Sequence, residues 1–119
     1  MSYNIVNVSS VVGSTVAYSS VPTSSTAMLG PVTSSHVYKI NSITAANKTG
    51  TAATVTVSYN KSATTYYIGY QITVPANSTL VLISKDAPIY LMDTTSDYIY
   101  ALAGTGSAID LIISYEDMS

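Results

Sequence analysis

The sequence predicts an all-β fold, an antiparallel β-sandwich or jelly-roll-like domain of about eight to ten strands. Three observations carry that expectation. Val, Ile, Thr, Tyr and Ser dominate, while Glu, Lys, Leu and Arg, which helices place on their solvent faces, are scarce. Ala53, Val55, Val57 and Tyr59 alternate with Thr54, Thr56 and Ser58, the period of two of a half-buried strand. Gly, Pro, Asn and Asp clusters punctuate the chain at intervals of roughly ten residues, with no helical pattern between them.

Taken in order, residues 3–8 and 15–18 read as strands separated by Gly13, and residues 25–29 as a third between Pro22 and Gly30-Pro31. The Ser/Thr-rich stretch 19–35 is the least patterned. Residues 1–35 are therefore expected to form an extended N-terminal arm or long loops, and 36–119 the sandwich core of a single domain spanning 1–119. A strand over 36–46 ends in the Asn47–Gly50 turn. Residues 53–59 pair with 64–74, where Tyr66, Ile68, Tyr70, Ile72 and Val74 share a face, and Asn60-Lys61-Ser62 suits the hairpin connection. Pro75-Ala76-Asn77 introduces a strand over 79–84. Lys85-Asp86, an opposite pair in a chain with few charges, then meets Pro88, which fixes its own φ and biases Ala87 towards extended geometry. The pair is expected at a strand-to-strand corner before 89–92. Strands over 98–103 and 108–115 close the chain on either side of Gly104-Thr105-Gly106.

Composition narrows the function classes. At 119 residues the chain suits one domain, which buries roughly two thirds of its unfolded surface. With no Cys, thiol catalysis, disulfides and Cys-ligated metals are excluded. The four cationic residues are all Lys, the net charge is −2 and only 8% of residues are charged, so the phosphate contacts of a nucleic-acid binder and the polybasic cluster of a membrane-surface protein are both missing. No run approaches the roughly 20 apolar residues of a spanning helix. The first residues lack a basic region followed by an apolar one, so they do not read as a secretory signal. The Asn-x-Ser/Thr sequons at Asn7, Asn47, Asn60 and Asn77 accordingly read as turn and strand-edge chemistry. Eleven Tyr and no Phe or Trp supply rings with a polar tip, suited to strands that meet water or a partner on one side.

Residues able to carry chemistry are few. The sole His, His36, opens a strand beside Val37 and Ile40, which read as packing residues, and a triad would need a hydroxyl on one side of it and an orienting group on the other. Asp93 and Asp97 flank Thr94-Thr95-Ser96. As a pair they could act as acid and base or bind Ca²⁺, but carboxylates at such spacing cap turns by accepting backbone N–H groups. Asp110 interrupts the last strand on the face opposite Ile109, Leu111 and Ile113, where it could discourage edge pairing or meet a partner. Gly104-Thr105-Gly106 precedes no helix and so lacks the N-terminus a phosphate cradle uses. The expectation is a protein that is not an enzyme, with no catalytic, cofactor-binding or metal residue.

From Tyr38 onward the order of features carries a resemblance. Ile43-Thr44-Ala45-Ala46-Asn47 leads to Ala53-Thr54-Val55-Thr56-Val57. The segment PANSTLVL from Pro75 precedes Ile89-Tyr90-Leu91, and the chain closes on IDLIISYE from Ile109. This series resembles small tailed-bacteriophage virion proteins over about two thirds of the chain. The resemblance implies a compact β-sandwich that coats capsids or builds neck, tail or fibre parts. It implies a virion location, the major capsid protein or other virion proteins as partners, and self-association with a trimer favoured. Met92-Asp93-Thr94-Thr95-Ser96 departs from the glycine-acid turn usual there. A carbohydrate-binding sandwich is the alternative from another class.

Overall fold

The computed structural model describes residues 9–84 and 86–119. These form nine strands and no helix: β1 (Val11–Tyr18), β2 (Thr26–Leu29), β3 (Val37–Asn47), β4 (Ala53–Lys61), β5 (Thr64–Val74), β6 (Thr79–Ile83), β7 (Ile89–Met92), β8 (Tyr98–Ala103) and β9 (Ile109–Met118). One sheet runs β1-β9-β3-β6, with β7 also on β3, and the other runs β2-β8-β4-β5. All pairings are antiparallel.

β6 pairs with Ile43–Ala46 of β3, and β7 with Val37–Ile40 of the same strand, so the two lie end to end along one neighbour. Counted as one broken strand, they complete a nested scheme. The first strand pairs with the last, the second with the second last, the third with the broken strand and the fourth with the fifth. Such nesting is a long hairpin rolled up on itself, which is a jelly roll.

The core lies between the sheets, where Ile40, Ile43, Leu91, Ile99, Ile109, Leu111 and Ile113 are fully buried. Each such side chain contributes about 1.5–3 kcal/mol. The alternation read from β4 is observed, with Val55 and Val57 at zero exposure on the core side.

Three expectations need correction or refinement. Residues 9–35 do not form an arm. β1 and β2 are edge strands of the two sheets, and Val21, Met28, Leu29 and Val32 reach the core. These anchors, Val21, the adjacent Met28-Leu29 and Val32, are spaced unevenly among Ser, Thr, Pro and Gly, so they make no periodic pattern. Gly13, expected to separate two strands, lies inside β1, and a strand over 3–8 falls outside the described residues. In β5, register shifts opposite Thr56 and at Ile68 break the simple alternation. Ile68 and Val74 turn to the core and Ile72, half-buried, lies opposite core-facing Val55, while Tyr70 is exposed.

The turns follow local chemistry. Ser62 and Ala63 both have positive φ (50° and 66°), making the β4–β5 connection a two-residue hairpin with the φ signs of a type I′ turn. Buried Asn47 donates from Nδ2 to the carbonyls of Thr51 and Val74, and its Oδ1 accepts from Thr49 N–H and Oγ1. Asn77 takes positive φ (56°), as Asn does readily. Asn60 Nδ2 donates across the hairpin to Thr65 Oγ1.

Candidate interaction surface

Asp97 begins the approach to β8 and is wholly buried. Its Oδ2 accepts from the Tyr59 hydroxyl at 2.7 Å and from Met92 N–H at 3.0 Å, and its Oδ1 accepts from Thr95 Oγ1. The Lys61 ammonium stands 4.0 Å from Oδ2. Burial, and after it the bond to Asp97, pushes the Tyr59 hydroxyl well above its ordinary value. Ser62 N–H donates to Thr95 O, so the hairpin tip is tied to the same turn. Gly30 packs against it as well. Its φ is +117°, and a Cβ there would stand 2.6 Å from Asp97 O.

Asp110 does the equivalent work at the opposite end, in water. Its Oδ1 accepts from Lys48 Nζ and from Ser20 N–H, each at 2.8 Å, and Lys48 also donates to Ser20 Oγ. The bound ammonium, and then the Ser20 N–H, hold its carboxyl below the usual carboxylate range. Beside it a shallow hollow of about 160 Å³ is lined by Ala17, Tyr18, Ser19, Asp110, Leu111 and Ile112. That is below the roughly 300 Å³ at which small-molecule sites begin.

His36 meets a carboxylate that sequence reading did not pair with it. Nδ1 lies 2.6 Å from Asp117 Oδ1, and as the carboxylate accepts, the proton sits on Nδ1. The two residues are 81 positions apart, and nothing local signals the contact. Among the described residues, no hydroxyl hydrogen-bonds to the His36 ring, so the pair does not extend into a triad. Asp93 Oδ2 accepts Ser35 N–H at 2.7 Å, while its buried Oδ1 has no partner among the described residues. The structure therefore separates Asp93 from Asp97. The first fastens the loop before β3, and the second holds its own turn.

The tyrosines form a face rather than a pocket. On the outer side of the β2-β8-β4-β5 sheet, β4 presents Thr56 and Ser58, small and buried although they point outward. Ser58 lies opposite Tyr67 on β5 and Tyr100 on β8, so the row reads Tyr67, Ser58, Tyr100. The bulge opposite Thr56, whose Oγ1 accepts Gln71 N–H, brings Tyr70 beside Tyr67 edge to face, with ring centroids 4.8 Å apart. Tyr98 and Tyr100 make the matching pair on β8 at 5.5 Å. Tyr67 and Tyr70 are 58% and 59% exposed, and Tyr66 at the hairpin is 55% exposed. No known family or curated protein matches the chain. The surface itself is then the guide. Exposed rings with polar tips, set among hydroxyls and without charge, suit a broad, partly wet contact.

Proposed function

We propose that the protein is a non-enzymatic structural component of a tailed-phage virion, a capsid decoration protein that binds the outer shell through the major capsid protein and stabilises it. What carries this reading is the tyrosine face of the β2-β8-β4-β5 sheet, where Tyr67, Tyr70, Tyr98 and Tyr100 flank a floor of Thr56 and Ser58. Aromatic anchors dominate contact energies at protein interfaces, and an uncharged face of several rings with no deep pocket suits a protein shell better than a small ligand. Two further supports are weaker. Jelly rolls recur in viral coats, and the segments PANSTLVL and IDLIISYE carry the family resemblance. In the fold they become the β5–β6 connection with β6, and β9.

The test is co-sedimentation with expanded empty capsids. The protein should pellet with them and Tyr67→Ala/Tyr70→Ala should stay in the supernatant, whereas failure of the unmodified protein to bind would remove the reading. Copy number from quantitative mass spectrometry of virions separates a decoration protein, expected on the order of hundreds per particle, from a neck, tail or fibre ring of about a dozen. A second reading has its own observation. The ring-flanked row of hydroxyls could take the apolar face of a neutral sugar, and a glycan array without hits would dispose of it.

A further inference from the structure

A free sheet edge offers a row of unpaired N–H and C=O groups, and proteins blunt such edges with bulges, breaks, charges or brevity. Among the described residues, three of the four sheet edges are treated that way. β2 has only four residues and a register shift between Ala27 and Leu29. β5 carries two register shifts. The β6–β7 edge is interrupted between Ile83 and Ile89, where Ala87 N–H turns back to Ser84 O.

β1 has none of these devices. Its eight residues, VVGSTVAY, run without charge or Pro in unbroken register with β9, from Val11 opposite Met118 to Tyr18 opposite Leu111. Among the described residues it is bonded on that side alone. Val11 and Val12 are 55% and 56% exposed. Gly13 sits mid-strand with open space where a Cβ would go, in an extended position that does not need glycine.

We infer that β1 is where a second copy of this chain adds, β1 against β1 and antiparallel across a two-fold axis, joining two five-stranded sheets into one. The occupant follows from the edges themselves. A ring of other symmetry would need β1 to pair with a different edge of its neighbour, and the others are blunted; a strand pairing antiparallel with itself requires a two-fold. The self-match is favourable, because residues facing each other must share a sheet face. Centred on Ser14, the pairing sets Val12 opposite Val16 and Val11 opposite Ala17, apolar against apolar, and Gly13 opposite Thr15, with no like charges. The inference is independent of the virion reading, and it gives a two-fold dimer in place of the trimer the resemblance implies.

Analytical ultracentrifugation across a concentration series tests it. The unmodified protein should reach a dimer, and Val12→Lys, altering an exposed side chain, should remain monomeric with an unchanged far-UV circular dichroism spectrum. Because the chain has no Cys, Ser14→Cys provides a second readout. Under mild oxidation it should crosslink across the axis in high yield, and Thr15→Cys should do so instead if the centre is shifted by one residue. A protein that stays monomeric throughout or forms a trimer overturns the inference. So does a dimer that survives Val12→Lys while neither cysteine crosslinks.

Discussion

The two ends of the sandwich are each tied by one aspartate, and the ties are unequal. Asp97 gathers a phenol, a backbone N–H and a threonine hydroxyl at zero exposure, while Asp110 gathers an ammonium and a backbone N–H with 39% of its side chain in water. Asp110 has the full opposite charge at 2.8 Å, whereas the nearest ammonium to Asp97 stands at 4.0 Å. By formal charge the exposed end should be the stronger. Burial reverses the order, because removing a buried acceptor strands its donors without water, whereas an exposed pair exchanges one set of hydrogen bonds for another.

The largest expected effect is therefore at the buried end. Asp97→Ala should cost about 3–5 kcal/mol by leaving the Tyr59 hydroxyl and Met92 N–H unpaired, as read from urea unfolding. If it cost no more than Asp110→Ala, the contrast between the ends would fail.

Tyr59→Phe should cost about 1 kcal/mol, one hydrogen bond. It should also change the alkaline limb. Since the folded protein holds the Tyr59 proton more tightly than the unfolded chain, its contribution is complete below the ordinary tyrosine value of 10.0 and is lost as pH rises beyond it. Unfolding midpoints measured from neutral pH into that range should fall more steeply for the unmodified protein than for Tyr59→Phe.

Next in size is a gain. Ala63 occupies a left-handed position at the hairpin tip tied to the Asp97 turn, so Ala63→Gly should stabilise by about 0.5–1 kcal/mol in thermal melts. The smallest effect belongs to the exposed end. Asp110→Asn should cost ~0.5 kcal/mol or less at neutral pH and low salt. Because the folded-state carboxyl is held below its ordinary 3.8, that contribution is present above this pH and lost as pH falls through and below it. The variant and the unmodified protein should therefore converge in acid, and also in molar salt.

Strand positions from residue 36 onward were legible because alternation and punctuation are local. Val55 and Val57 lie two apart, and a half-buried strand admits only one reading of them. The register shifts in β5 were not, since nothing in TTYYIGYQITV distinguishes a regular strand from one whose Gln71 N–H turns to a threonine on its neighbour. Those shifts place Tyr67 and Tyr70 together, so the candidate surface was hidden with them. Residues 19–35 misled for a related reason. Val21, the adjacent Met28-Leu29 and Val32 are unevenly spaced anchors whose burial depends on distant strands.

The connection between β6 and β7, in which Lys85 lies outside the described residues, shows the same division on one short segment. Its position between two strands followed from Pro88 and the flanking apolar residues, which are properties of the chain. That β6 and β7 lie on one neighbour, so that the corner breaks a sheet edge rather than joining two sheets, followed from β3 being long enough to pair with both. By itself the sequence determined the all-β class, most strand positions and the lack of cysteine and of a basic surface, because composition and period act over a few residues. Only the tertiary structure decided the nested pairing, the burial of Asp97 and the contrast between the unbroken β1 edge and the three blunted ones. Each of these depends on which strands, far apart in the chain, come to lie side by side.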